Sequence, residues 1–217
     1  IKNREGANVI SNQNLAELAR RFEIGSHTHD HYYLRNLDIR RTYYQISEGK
    51  KQLEETLGKG ISGFCYPGGK YRRKDVDLVK ACGFKYARTT VNLCLDPGHK
   101  PLEMPTTIQF YPHDRLVYLR NFARSGHWLK RSSQLWFVLQ HQNWIDRLYA
   151  LFDYAYGHGE VFHLWCHSKQ IEEMHAWQEL DAFFLYVVQH VEAANRLTNE
   201  QVAEKSFGTP LLRDCRV

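Results

Sequence analysis

With 217 residues the chain is long enough for one well-buried domain, and its 43% hydrophobic and 24% charged content is that of a soluble globular protein. A formal charge of +5 gives no reason to expect nucleic acid as a partner, and no apolar run reaches the length of a membrane span. Cys65, Cys82, Cys94, Cys166 and Cys215 contain no CxxC pair, so a disulfide framework is not indicated and a reducing, cytoplasmic compartment is the expectation.

Ile1 is not a methionine, which suggests that the sequence starts inside a longer chain and leaves the question of a signal peptide open. Ser11 is a good N-cap, and Leu15, Leu18, Ala19 and Phe22 recur at helical spacing, so 12–22 reads as an amphipathic helix. Glu23 breaks the pattern and Ile24 leads a short strand that ends near Ser26. The following turn carries His27, His29 and His31, with Thr28 and Asp30 expected to order it through side-chain to backbone hydrogen bonds.

Ile39, Tyr43, Ile46, Leu53 and Leu57 mark a long helix that Gly58 stops. Residues 61–66 are the next strand, ended by Pro67-Gly68-Gly69. Residues 75–82 repeat the helix signal, Gly83 sits where a left-handed cap is wanted, and 84–88 is a further strand. Lys70, Arg72, Arg73 and Lys74 form the densest basic cluster, either a solvated loop and helix start or a docking surface for an anionic glycan or diphosphate-linked sugar.

Between Thr89 and Gln142, four prolines break any long element, and only 106–111 reads as a strand, delivering His113 as either a rim contact or a loop histidine. Residues 144–156 form a helix with Ile145, Leu148, Leu151 and Phe152 on one face, turned by Gly157-His158-Gly159. Residues 161–165 form the last strand and 180–194 the last helix, within which 182–188 reads as a buried segment. This cadence indicates parallel βα units, in which functional groups gather at the carboxyl ends of the strands.

Two neutral imidazoles offered by a loop at a strand end suit a first-row metal ion, although an HxxxH pair lacks a third ligand. The stretch SHTHDH resembles the second motif of the polysaccharide deacetylases, the NodB-homology family, whose His-Ser/Thr-x-x-His pattern falls on His27, Thr28 and His31. FCYPGGKY, from Phe64 to Tyr71, is similar to the third motif, and VFHLWCH, from Val161 to His167, to the fifth. The resemblance spans roughly 15–190. It implies an α/β fold, an irregular (β/α) barrel lacking its first strand or strands, in one catalytic domain over 1–217 that is N-terminally incomplete.

By the same resemblance, His27 and His31 hold a divalent metal ion, zinc being the leading candidate, and His167 is the general acid. Tyr66, Pro67, Gly68 and Trp165 contact a carbohydrate substrate, with the Gly68 N–H as oxyanion donor and Trp165 lining the acetyl pocket. Cys65 stands where the family places an arginine that orients the base, which puts that tuning in doubt. The family's paired aspartates, a third ligand and the base, are absent; the expectation is that they lie upstream of Ile1 and that this stretch alone is silent. The implied activity is removal of N-acetyl groups from a carbohydrate. Hydrolysis of a non-sugar amide and non-catalytic glycan binding are the alternatives, and nothing in the sequence indicates an oligomeric state.

Overall fold

A computed structural model describes residues 10–126 and 128–208, so Cys215 lies outside the described residues. They gather into two compact units, one drawn from the described residues of 10–90, 99–104 and 197–208, the other from those of 91–98 and 105–196.

In the first unit, helix α1 (Asn12–Leu18) begins at Ser11, whose side chain accepts from the Asn14 N–H. It ends earlier than its apolar spacing suggests, and Phe22 lies beyond it, exposed. Helix α2 (Ile39–Leu57) has the expected bounds, with Asp38 capping the Arg41 N–H and Gly58 in the left-handed conformation. Its buried stripe runs through Thr42, Gln45, Ile46, Gly49 and Leu53, while Ile39 and Tyr43 face outward.

Strands β1 (Gly63–Cys65) and β2 (Tyr86–Arg88) pair in parallel, flanking helix α3 (Arg73–Ala81) in sequence, and Ser26 adds a parallel bridge to Phe64 on one side as Met104 does to Arg88 on the other. Phe64, Ile46, Val79, Phe84 and Leu102 form the core beneath them. Arg72, one of the basic cluster, is committed to structure: it holds the fully buried Asp75 and the carbonyls of Leu34 and Leu37. A short helix, α9 (Asn199–Phe207), which the hydrophobic pattern does not announce, completes the unit through a Thr198–Gln201 capping box.

The second unit holds the parallel pair β3 (Ile108–Gln109) and β4 (Leu164–Trp165), both shorter than their sequence runs. Three helices precede β4: α4 (Arg115–Ser125), α5 (Trp128–Gln140) and α6 (Trp144–His158). The first two occupy the stretch where no helix is legible in the sequence; α6 runs through Gly157 and His158 to a cap at Gly159. Helices α7 (Ser168–Glu173) and α8 (Trp177–His190) follow. The expectation that 182–188 is a buried segment is corrected here: Phe183 is in the core, but Phe184, Leu185 and Val188 are exposed, so α8 is amphipathic. Among the described residues the strands form these two short parallel sheets with their flanking bridges, a helix-rich α/β architecture.

Gly49 decides how closely α2 approaches the histidine turn. A Cβ there would lie 2.8 Å from the Thr28 carbonyl carbon and 2.9 Å from the His29 nitrogen, both backbone atoms that cannot swing aside. Gly49→Ala is therefore expected to destabilise the protein by about 1–3 kcal/mol despite the better helix propensity of alanine. Urea denaturation checks it; a stability equal to wild type would mean that the loop is not locked against α2.

Candidate active site

The histidine turn leaves the sheet at Ser26, whose N–H donates to the Gly63 carbonyl and whose carbonyl accepts from the Cys65 N–H. Past this bridge the backbone takes two left-handed residues, Thr28 at φ 67° and His31 at φ 60°. A β-branched residue rarely adopts that conformation, and each such residue costs about 1 kcal/mol that the surroundings must offset.

The offset comes from α2. Gln45 accepts the His29 N–H at its carbonyl and the Asp30 N–H at its side-chain oxygen, while its Nε2 donates to Asp30 Oδ2 at 2.7 Å. Thr28 does not take the ordering role expected of it; its hydroxyl is buried without a hydrogen-bond partner. His29 turns inward, 4% exposed, with Nε2 3.6 Å from Asp30 Oδ1.

His27 and His31 are thereby brought together, ring centroids 4.8 Å apart and edge to face. The Cys65 carbonyl accepts from His27 Nδ1 at 2.7 Å, which fixes the proton on that nitrogen and makes Nε2 the ligand atom. This donor set fits a borderline divalent ion such as zinc, as two of the ligands it needs. No group of three or more His, Cys, Asp or Glu side chains suited to a metal is found among the described residues. A groove of about 540 Å³ runs past His27, Thr28, His29 and His31 to Gly49 and Gln52.

Pro67 and Gly68 sit at the same strand end, immediately after β1. Gly68 is left-handed at φ 57°, and a Cβ there would meet the Tyr33 ring at 2.8 Å. Tyr33 in turn stands 6.5 Å from the His31 ring and beneath the Lys70 ammonium. The Gly69 and Lys70 N–H groups are used within the turn, donating to Tyr66 and Pro67. Tyr66 is sent elsewhere: its ring is fully buried, stacked on Tyr71, and its hydroxyl donates to the Leu102 carbonyl. Any part it plays at the rim is therefore through the backbone.

In the second unit, His167 follows β4 and is exposed, with the half-buried Trp165 ring 5.3 Å away. His113 follows β3, its ring against Tyr111 and its Nε2 on Gln109; burial pulls its pKa down, so it is neutral at physiological pH.

Cys65 is one of four free thiols among the described residues. Burial pushes its pKa up to about 11, against a smaller opposing pull from the Arg88 guanidinium beside it. It is expected to stay a neutral, inert thiol: at pH 8, iodoacetamide should label the exposed Cys166 well before Cys65, which should react only on unfolding. Early labelling of Cys65, read by peptide mass spectrometry, would contradict this placement.

The family model described as Polysaccharide deacetylase matches residues 5–87. Among solved structures, a probable polysaccharide deacetylase from Pseudomonas aeruginosa PAO1 is similar with a TM-score of 0.62 and 18% identity, covering 91% of this chain and 66% of that one. The PuuE allantoinase is similar with a TM-score of 0.60 and 16% identity, covering 92% and 65%. The Streptococcus pyogenes deacetylase PplD, in complex with acetate, is matched at 16% identity over 48% of this chain and 46% of that one, with a TM-score of 0.45. The chain thus spans less than two thirds of each of these structures, and at such identities the first two speak for the fold alone. No curated protein sequence matches. Over residues 5–87 the chain is similar to the polysaccharide deacetylase family, and over most of its length its fold is similar to that of the Pseudomonas aeruginosa and PuuE structures.

Proposed function

We propose that the protein is a metal-dependent hydrolase that removes N-acetyl groups from a carbohydrate. The observation that carries this reading is the convergence of His27 and His31, with His27 held by the Cys65 carbonyl at the strand end that also presents Pro67-Gly68. When bound to these two imidazoles, zinc or a similar ion would lower the pKa of water and polarise the amide carbonyl.

The chain's own residues supply the rest. The Gly68 N–H is the donor for the developing oxyanion, preorganised because its turn is closed by the bonds from Gly69 and Lys70. His167 gives a proton to the departing amine, the step that amide hydrolysis most needs because an unprotonated amine leaves poorly. Trp165 offers an apolar wall to the acetyl methyl.

The likeness to an allantoinase structure favours one second reading, hydrolysis of a non-sugar C–N bond, since the two similar structures fit almost equally well. Exposed Tyr32 and Tyr33 beside His31 favour the sugar, as ring faces on which a pyranose can stack.

The test is acetate release by the full-length protein from an N-acetylglucosamine oligomer with excess zinc, against ureides and simple amides; the 217-residue chain alone is expected to be silent. His27→Ala should abolish zinc binding measured by calorimetry. His167→Ala should lower turnover by about 10² to 10⁴ while leaving bound zinc unchanged. Equal loss of zinc and turnover in that variant would make His167 a ligand, and exclusive turnover of ureides would overturn the sugar reading. With two imidazoles alone, zinc binding is expected to be weak and to be outcompeted by a mild chelator; tight binding that survives His27→Ala would refute the ligand assignment.

A further inference from the structure

Resting on the reading of a sugar substrate, we propose that Gln109, Gln170 and His113 form a hydroxyl-recognising subsite at the carboxyl end of the β3–β4 pair, with Trp165 as its stacking wall. The site would take a polyhydroxylated pyranose ring. The four side chains lie in one unit and are tied together by its sheet register.

Gln109 and Trp165 are register partners across the parallel pair, so their side chains stand side by side on the same face. Gln109 Nε2 donates to Gln170 Oε1 at 2.9 Å, across from β3 to α7. That bond fixes the orientation of the Gln109 amide, whose Oε1 then meets His113 Nε2 at 2.8 Å. A carbonyl oxygen can only accept, so His113 carries its proton on Nε2 and offers Nδ1 as an acceptor. The His113 backbone is itself anchored, its carbonyl accepting from Arg147 Nη1.

The result is a half-buried chain of three neutral groups whose inner valences are satisfied by one another. Its remaining valences are the second Gln109 Nε2 hydrogen, both Gln170 Nε2 hydrogens and His113 Nδ1. Donors and an acceptor fixed at the spacing of neighbouring side chains match adjacent sugar hydroxyls, each of which both donates and accepts. Because both ends of the Gln109 amide are held, little side-chain freedom is lost on binding. Trp165, half-buried and 5.3 Å from His167, supplies the apolar surface that the C–H face of a pyranose needs.

The experiment compares an N-acetylglucosamine oligomer with its per-O-methylated form, which keeps the ring and acetamide but has no hydroxyl donors. Binding to the full 217-residue chain is read from the Trp165 indole resonance by NMR, without metal. Wild type should prefer the free oligomer about tenfold, the order expected from one or two hydrogen bonds. His113→Phe, which removes the Nδ1 acceptor that only a hydroxyl donor can use, should lose that preference while retaining the fold; Gln109→Leu, which releases the His113 ring, should lose it too. Equal affinity of wild type for both ligands, no saccharide binding, or equal weakening of both ligands in the variants would overturn the subsite. Hydroxyl-dependent binding by this chain, with no acetate released by the zinc-loaded full-length protein, would uphold the subsite and remove the deacetylase reading instead.

Discussion

The contact on which the first unit's site depends is the docking of the histidine turn onto α2. Three hydrogen bonds converge on one residue, Gln45, which is 5% exposed and answers the backbone of His29 and both the backbone and the carboxylate of Asp30. A buried amide left unmade costs more than it returns when paired, so the turn and the helix stabilise one another or neither holds. The two left-handed residues, Thr28 and His31, are held in that setting, with the His27 and His31 rings edge to face beside them. Gly49 sets the distance at which this happens.

Much of this unit was legible. The apolar period and Gly58 define α2 to the residue, and Ser26, Cys65 and Arg88 close parallel segments where the strand runs were read. The convergence of His27 and His31 was read from the motif, but the reason for it was not. Of the two side chains expected to order the turn, Asp30 does so and Thr28 does not, and the partner Asp30 uses, Gln45, lies fifteen residues beyond it and carries no pattern that marks it as buried. The capping box Thr198–Gln201 was a signal on the page that hydrophobic spacing alone passed over.

The second unit was less legible for a different physical reason. Its irregular segments are organised by buried arginines, which composition reads as surface charge. Arg131, 1% exposed, gives Nε to the Asn92 carbonyl, Nη1 to the Gly126 carbonyl and Nη2 to Asn92 Oδ1. Arg147 does the same for three carbonyls, those of His141, His113 and Gln142. A guanidinium with five fixed donors can replace the backbone ladder that a proline-rich stretch cannot make, and so 89–142 folds around α4 and α5 without a period that announces them. His113, left open between rim and loop, is half-buried for the same reason.

The departure at Cys65 takes a physical form in the register of the first sheet. Cys65 and Arg88 are paired positions on β1 and β2, so a guanidinium stands one strand over from the thiol. Arg88 is 7% exposed; burial pulls its pKa down to about 10, opposed by Glu23, and it remains a cation at neutral pH. It donates to Asn199 Oδ1 at 2.7 Å, and the next residue, Glu200, donates its N–H to Glu23 Oε2 at the start of α9. Burial raises the Glu23 pKa on balance, against an opposing pull from the Glu200 and Asn199 amides and the Thr198 side chain. The Arg88 cation thus stands on the strand beside Cys65 and is held by Asn199 at the start of α9, which ties that helix to the polar network of this sheet.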